Sequence, residues 1–350
     1  MTNIDPAAPV LVTGGSGYVA SWLVRYLLED GHTVRATVRD PQKKKGLEHL
    51  HALAEAHPGR LTLHRAELLE PGSYTEAMAG CELVMHTASP FLIGKVRDPQ
   101  KQLVSPALEG TRNVLTSVNE TESVKRVVLT SSVVAICGDN IDMVGKDQFT
   151  EDDWNTTSSL DHQPYPYSKT VAEREAWDIA GAQDRWDLVT IHPGLVLGPS
   201  LTTASKSGTF RTMGSFTDFS QAAGAPPLEM GVVDVRDVAR AHIAAGFTPA
   251  AHGRYITNSE TMSMLDIGKA LRAKFGYRPS FPLMEAPKAA IWLAAPVAGL
   301  TREFVKLNVG YPLRFDNSRT VAELGITFRP GAESVTEHFQ QMIDDGLVRG

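Results

Sequence analysis

In the run Tyr165-Pro166-Tyr167-Ser168-Lys169 a phenol and an ammonium stand four residues apart. On a helix they project from one face, whereas Tyr167 has only Val171 at that spacing. Tyr165 is therefore the candidate proton-transfer group. A phenol with a pKa of about 10 is a poor shuttle at neutral pH, and a fixed ammonium nearby favours its phenolate. Such a pair can deliver a proton to an oxygen that gains negative charge. Pro166 is tolerated because the first helical turn needs no N–H donor there. Ser131 and Ser132 follow the apolar run Arg126 to Thr130, and a hydroxyl at that strand end can hold a substrate oxygen. By themselves such serines are commonly turn or cap residues; the tyrosine and lysine downstream give them a catalytic reading.

The elements that must position these groups alternate along the chain. Short β-branched runs at Val10 to Thr13, Thr33 to Val38, Leu61 to Glu67, Leu83 to Thr87, Arg126 to Thr130 and Leu188 to His192 are separated by helical patterns, among them Tyr18 to Glu29, Gln100 to Val118 and Pro166 to about Ala182. That rhythm predicts right-handed βαβ units. Because each strand is nearly all apolar, both sheet faces should be covered. The expected fold class is α/β, a doubly wound parallel sheet of the Rossmann kind with a smaller C-terminal substrate lobe. After Pro193 the pattern loosens through Gly194 to Gly231, then resumes with a strand at Val232 to Val235, a helix at Arg236 to Phe247, a strand at Arg254 to Thr257 and a helix at Ser263 to Phe275. Residues 1–193 and 232–260 are assigned to the nucleotide-binding domain, and 194–231 and 261–350 to the substrate lobe.

The first strand runs into Thr13-Gly14-Gly15-Ser16-Gly17-Tyr18-Val19-Ala20, in which Gly15, Gly17 and Ala20 meet the G-x-G-x-x-G/A spacing. The glycines allow a tight turn and close backbone approach to a pyrophosphate, and Ala20 lets the helix pack near the sheet. The helix start then offers free N–H groups to the anion. At the tip of the second strand, where an NAD-binding carboxylate is expected, stands Arg39, followed by Asp40 and by Lys43, Lys44 and Lys45. The local positive charge suits an NADP 2′-phosphate, unless Asp40 faces the ribose instead.

These segments together resemble the extended short-chain dehydrogenase/reductases, and within them the dihydroflavonol reductase and cinnamoyl-CoA reductase group. The resemblance is carried by Thr13 to Ala20, Val34 to Pro41, Glu109-Gly110-Thr111, Leu129 to Ser132, Tyr165 to Glu173 and Pro193 to Pro199. It implies a catalytic Ser132, Tyr165 and Lys169, and NADP(H) as cofactor. By similarity Gly14, Gly15, Ser16, Gly17, Tyr18 and Val19 follow the pyrophosphate, and Arg39 with Lys45 takes the 2′-phosphate. Glu67, where the family has Asp, and Leu68 flank adenine. Thr87, Ala88 and Ser89 follow the fourth strand, Lys169 holds the ribose, and Pro193 to Val196 approach the nicotinamide. The implied reaction is NADPH-dependent reduction of a small-molecule aldehyde or ketone. A 3β-hydroxysteroid dehydrogenase or a nucleotide-sugar epimerase would use the same triad but more naturally an acid at position 39, and an NADP sensor would need no proton donor.

Composition sets the remaining bounds. The 350 residues are 42% hydrophobic and 21% charged with a formal net charge of -6, spread along the chain, so nucleic acid is not an expected partner. Cys81 and Cys137 sit in or beside apolar runs, as buried free thiols do in a reducing compartment, and a cytoplasmic monomer or homodimer is expected. The N-terminus has no signal-peptide pattern. The segment Ala289 to Leu300 is shorter than the roughly 20 residues of a bilayer span and reads as a buried helix or a pocket wall. No metal is expected, since no histidine pairs with cysteine or acid at zinc spacing; His86 and His192 read as core residues, Glu151-Asp152-Asp153 as a solvated face, and Asp161-His162 as a possible border of the substrate. Phe210, Phe216, Phe219, Phe281 and Trp292 suggest an aromatic or hydrophobic pocket.

Overall fold

The computed structural model describes residues 1–89, 96–202, 208–222 and 224–348. Its elements in chain order are β1 (Val10–Thr13), α1 (Tyr18–Glu29), β2 (Val34–Val38), α2 (Glu48–Ala56), β3 (Leu61–Arg65), α3 (Thr75–Met78), β4 (Leu83–His86), α4 (Ser105–Glu120), β5 (Arg126–Thr130), α5 (Pro164–Gly181) and β6 (Asp187–Pro193). There follow β7 (Leu195–Leu197), α6 (Gly208–Gly214), β8 (Glu229–Asp234), α7 (Val235–Phe247), β9 (Gly253–Thr257), β10 (Glu260–Ser263), α8 (Met264–Phe275), α9 (Lys288–Ala294), α10 (Arg302–Asn308), α11 (Ser318–Leu324) and α12 (Gly331–Asp344).

Seven parallel strands form the main sheet in the order β3-β2-β1-β4-β5-β6-β9. Every residue of β1 and β4 is buried, as cover on both faces demands. One face packs Leu23, Leu27 and Leu28 of α1 with Val235, Ala239 and Ala245 of α7. The other packs Val114, Leu115 and Val118 of α4 with Ala176 of α5. Because β1 pairs β2 on one side and β4 on the other, the chain reverses direction across the sheet there, and a crevice opens beyond the ends of β1 and β4.

A buried arginine fixes the far end of β5. Arg126 donates to Asp187 of β6 at 2.7 and 2.9 Å and to the carbonyls of Ala245, Thr248 and Ala251 at 3.0, 2.7 and 3.0 Å. Its charge is thus paired and its donors are used, the condition under which burial of a guanidinium is tolerated.

The small sheet joins β7 parallel to β8 and β8 antiparallel to β10. The strand expected at Val232 to Val235 is thus β8 of this small sheet, whereas α7 and β9 after it return to the main one. The lobe's own core gathers Phe216 and Phe281 with Phe339, Ile267 and Leu271. These two aromatics, expected at a pocket, are packing residues with no access to a ligand: each is at most 1% exposed. Phe210 packs on His338 and Tyr18, Trp292 lies under the Arg302 guanidinium, and the Phe219 side chain and residues 203–207 fall outside the described residues. The segment Ala289 to Leu300, expected as a buried helix or a pocket wall, begins in α9, which has no buried residue and leaves Leu293 exposed, and buries Ala295 just beyond it. Among the described residues no helix is long and apolar enough to cross a membrane.

Candidate active site

The glycine-rich turn is built by steric necessity at two points. Gly14 has φ +65°, a left-handed backbone that favours glycine. At Gly15 a Cβ would stand 2.8 Å from the Cβ of Ala36, so only glycine lets the turn press against β2. Gly17 precedes α1 and no side chain caps that helix, which leaves its first-turn N–H groups for an anion. Ser16 is half-buried, Gly17 exposed, and Val19 packs partly into the core. The Tyr18 side chain does not line the turn: it is buried, with its hydroxyl on the Gly198 carbonyl at 2.5 Å. What Tyr18 can offer an anion is its backbone N–H.

The opposite wall is stitched to the turn through Thr13. Its hydroxyl accepts the N–H groups of Thr87 and Ala88 at 3.1 and 3.0 Å, and its proton then goes to His86 Nδ1 at 2.9 Å. Burial, with a contribution from the Lys169 charge, pushes His86 down to about 3, so it is a neutral core residue as expected. Ala88 lies against Gly14. Leu68 fills the space a side chain at Gly110 would need, 2.7 Å from the Cβ position, which gives the Glu109-Gly110-Thr111 motif its physical reason. Glu67 is half-buried and its backbone is held by Ser73 at 3.2 and 2.8 Å.

At the tip of β2 the charges separate. Asp40 turns one carboxylate oxygen to the Gln42 N–H at 3.0 Å. Arg39 and Lys45 are exposed and, among the described residues, make no side-chain hydrogen bond or ion pair. A free guanidinium beside a committed carboxylate fits a 2′-phosphate better than a bare ribose.

Helix α5 starts at Pro164, two residues earlier than expected, so Tyr165 already lies in its first turn. It follows Gln163, whose φ of 53° makes it the one non-glycine residue with positive φ among the described residues. Gln163 Nε2 donates to the Gly138 carbonyl and to Asp139, each at 2.7 Å, and holds that backbone in place. Asp139 also accepts from Asn308 of α10 and from His162 Nε2 at 2.9 Å. His162 is thereby committed to Asp139; Asp161 is exposed.

Tyr165 is 46% exposed, and among the described residues its hydroxyl has no hydrogen-bond partner. The atoms packed around it nevertheless raise its pKa above the ordinary phenol value, with no charge opposing. Burial is the one resolved cause, and it favours the protonated phenol over the expected phenolate. Lys169 is pushed down to about 8 by burial, against the opposing pull of Glu173, and its Nζ donates to Ser89 Oγ at 3.3 Å.

The two serines after β5 have different fates. Ser131 is buried and donates to Glu173 at 2.5 Å. Ser132 accepts the Val134 N–H at 3.3 Å and donates to the Pro193 carbonyl at 3.4 Å, a long bond that a closer acceptor can displace. The turn after Ser132, Val133 to Ala135, packs on α5. Val196 lies in β7 directly after Pro193, half-buried against the core of the main sheet.

Glu173 was missed as a site residue. It continues the stripe Tyr165, Lys169, Glu173 at four-residue intervals, which is the signal that would have found it. His192 reaches it through Nε2 at 2.8 Å and Arg254 through Nε at 2.8 Å. The run Glu151 to Asp153, expected to be solvated, instead gives two of its carbonyls to Arg254 and the Glu151 carboxylate to the Ile256 N–H. Both cysteines are buried and free, and burial pushes Cys81 up to about 11.

The fold and this constellation define a nicotinamide-nucleotide enzyme, and residues 10–256 match the model of the NAD dependent epimerase/dehydratase family. The chain belongs to that family, which includes the extended short-chain group its motifs resemble. It is 41% identical over 290 residues to cinnamoyl-CoA reductase CAD2 of Medicago truncatula, covering 81% of this chain and 85% of that protein. With tetraketide alpha-pyrone reductase 1 of Arabidopsis thaliana it shares 37% identity over 346 residues, 97% of this chain and 96% of that protein. Among solved structures, Gre2 from Candida albicans in complex with NADPH superposes with a TM-score of 0.75 at 25% identity, covering 97% and 99% of the two chains.

Proposed function

We propose that this protein reduces an aldehyde or ketone to the alcohol with NADPH, Tyr165 giving the proton. NADPH supplies the hydride when bound. Gly14 to Val19 would hold its pyrophosphate, Arg39 and Lys45 its 2′-phosphate, Glu67 and Leu68 its adenine, Thr87 to Ser89 and Lys169 its ribose, and Pro193 to Val196 its nicotinamide. Ser132 and Tyr165 hold the carbonyl oxygen by donated hydrogen bonds as negative charge grows on it. Tyr165 then transfers its proton, and Lys169 supports the phenolate that remains.

The observation that carries this reading is the division at the end of β5: Ser131 is committed to Glu173 at 2.5 Å, while Ser132 gives its proton only to a long 3.4 Å bond with the Pro193 carbonyl and the Tyr165 hydroxyl has no partner among the described residues. The free Arg39 supports NADPH and weighs against an NAD-dependent epimerase or steroid dehydrogenase. The names of the relatives support reduction, and a cinnamoyl thioester supports an aromatic or otherwise hydrophobic substrate now that Phe216 and Phe281 do not. A nucleotide-sensing role would leave the open phenol without a use.

The test is loss of reduced-nicotinamide absorbance with NADPH and, separately, NADH, across aromatic aldehydes, aliphatic aldehydes, diketones and flavanonols. Turnover with NADPH well above NADH is expected. Tight cofactor binding with no turnover on any member would overturn the reductase reading.

A further inference from the structure

Beneath the open hydroxyls lies a carboxylate that no catalytic step uses directly. Glu173 is 1% exposed, yet four donors from four elements converge on it. Ser131, after β5, reaches it at 2.5 Å, His192 of β6 at 2.8 Å, Arg254 of β9 at 2.8 Å, and Trp177 of its own helix at 3.2 Å. Lys169 stands one turn before it on α5 and faces the same small cavity of about 30 Å³, which Ser89, His86, Thr130 and Ser131 also line. Leu68, Ala88, Ala107, Leu129 and Ala172 line it as well, so the charged pair shares a site with a largely apolar wall.

We infer that Glu173 is a positioning residue: its buried carboxylate keeps Lys169 in the ammonium form and pins Ser131, so that the adjoining Ser132 hydroxyl stays free for substrate. The inference rests on the reading of Lys169 and Ser132 given above and extends it to a residue that touches neither substrate nor cofactor.

Charge and geometry argue together. An ammonium in a partly desolvated site is held by an opposite charge nearby, and Glu173 is the group that opposes the effect of burial on Lys169. Among the described residues, the other polar groups lining the cavity that Lys169 faces are His86, Ser89, Thr111, Thr130 and Ser131, none of them an anion. Glu173 itself remains ionised: burial would raise it, but His192, Arg254 and the Ser131 hydroxyl outweigh burial and hold it at about 2. Arg254 is in turn fixed by the carbonyls of Glu151 and Asp153 and by the ring of Trp154 at 4.0 Å. Arg254 is thus the cation ion-paired to the carboxylate, while Lys169 faces the same cavity one helical turn away.

The test reads Lys169 directly, without turnover. Protein labelled with 13C at lysine Cε is titrated, and the Lys169 signal is assigned by its loss in Lys169→Arg. Glu173→Gln should move the Lys169 midpoint down by about one pH unit or more, and Glu173→Asp should restore it in part. A merely structural role would lower thermal stability and leave the midpoint where it was, and an unmoved midpoint in folded Glu173→Gln overturns the inference. If that variant does not fold, Arg254→Gln serves: releasing the carboxylate from its other cation should move the midpoint up, and no movement or a downward one overturns it. Since this readout needs no substrate and an intact Tyr165 plays no part in it, it can fail while the reductase reading stands, and the reverse.

Discussion

Tyr18 donates its hydroxyl to the carbonyl of Gly198 at 2.5 Å, and His338 of α12 reaches the same oxygen through Nδ1 at 2.8 Å. The helix that opens at the phosphate turn is thereby latched to the segment after β7 and to the last helix of the lobe. Tyr18→Phe removes one of two donors from a buried carbonyl, a loss of about 1 kcal/mol. Urea unfolding should show it, while NADPH affinity stays unchanged because the side chain never faces the turn.

Tyr165→Phe deletes the proposed proton donor and keeps the ring. Turnover should fall by roughly 10²- to 10⁴-fold, with NADPH affinity by fluorescence titration nearly that of the parent. A variant retaining parental rates would remove Tyr165 from the mechanism.

Arg39→Ala should weaken NADPH binding by roughly 1.5–3 kcal/mol, the value of a hydrogen bond to a charged group, and leave NADH binding little altered. The ratio of the two dissociation constants is the measurement. An equal loss for both cofactors would show that Arg39 supports the loop and does not read the phosphate.

Gly15→Ala forces a Cβ to within 2.8 Å of Ala36 Cβ. Separating the turn from β2 costs about 1–3 kcal/mol, as overpacking does, and the displaced turn should bind NADPH poorly. Thermal unfolding and cofactor titration together check this; a stable variant with normal affinity would mean that the turn yields freely.

Lys169→Met carries a prediction about pH. The folded pKa of Lys169, about 8, lies below its ordinary value of 10.5 because burial disfavours the ammonium. The folded protein therefore bears a penalty that is full below pH 8 and fades as pH rises toward 10.5, where the unfolded chain also loses the proton. The variant should be inactive yet melt higher than the parent at pH 7, and the gap should close between those two pH values. A gap independent of pH would show that packing, not charge, separates the two.

Much of the main sheet was legible because each strand is a short, almost wholly apolar run, and burial on both faces leaves that trace. The turn at Gly14 to Gly17 and the pair Tyr165 and Lys169 were legible because local spacing alone defines them. The membership of β8 was not, since its partners Leu195 and Thr261 lie some thirty residues away on either side, and pairing at that range leaves no local pattern. Glu151 looked solvated among acids for the same reason: its partner Ile256 is distant in the chain. Phe216 and Phe281 looked like pocket residues because an aromatic side chain reads alike in a core and in a cleft. Glu173 stands on the same four-residue stripe as Tyr165 and Lys169, but its partners Ser131, His192 and Arg254 come from distant segments and leave no local pattern.

The buried Arg126 has a dynamic consequence. Strand β5 is clamped at its start by Arg126 on Asp187 and three carbonyls, and just past its end by Ser131 on Glu173. With β4 and β6 paired along both edges, its interior amides at Val127, Val128 and Leu129 are released only when the whole domain opens. They should exchange with deuterated solvent at the rate of global unfolding, while the exposed helix α9 opens on its own. Ser132, the hydroxyl proposed to meet the substrate, thus follows directly on a strand clamped at both ends.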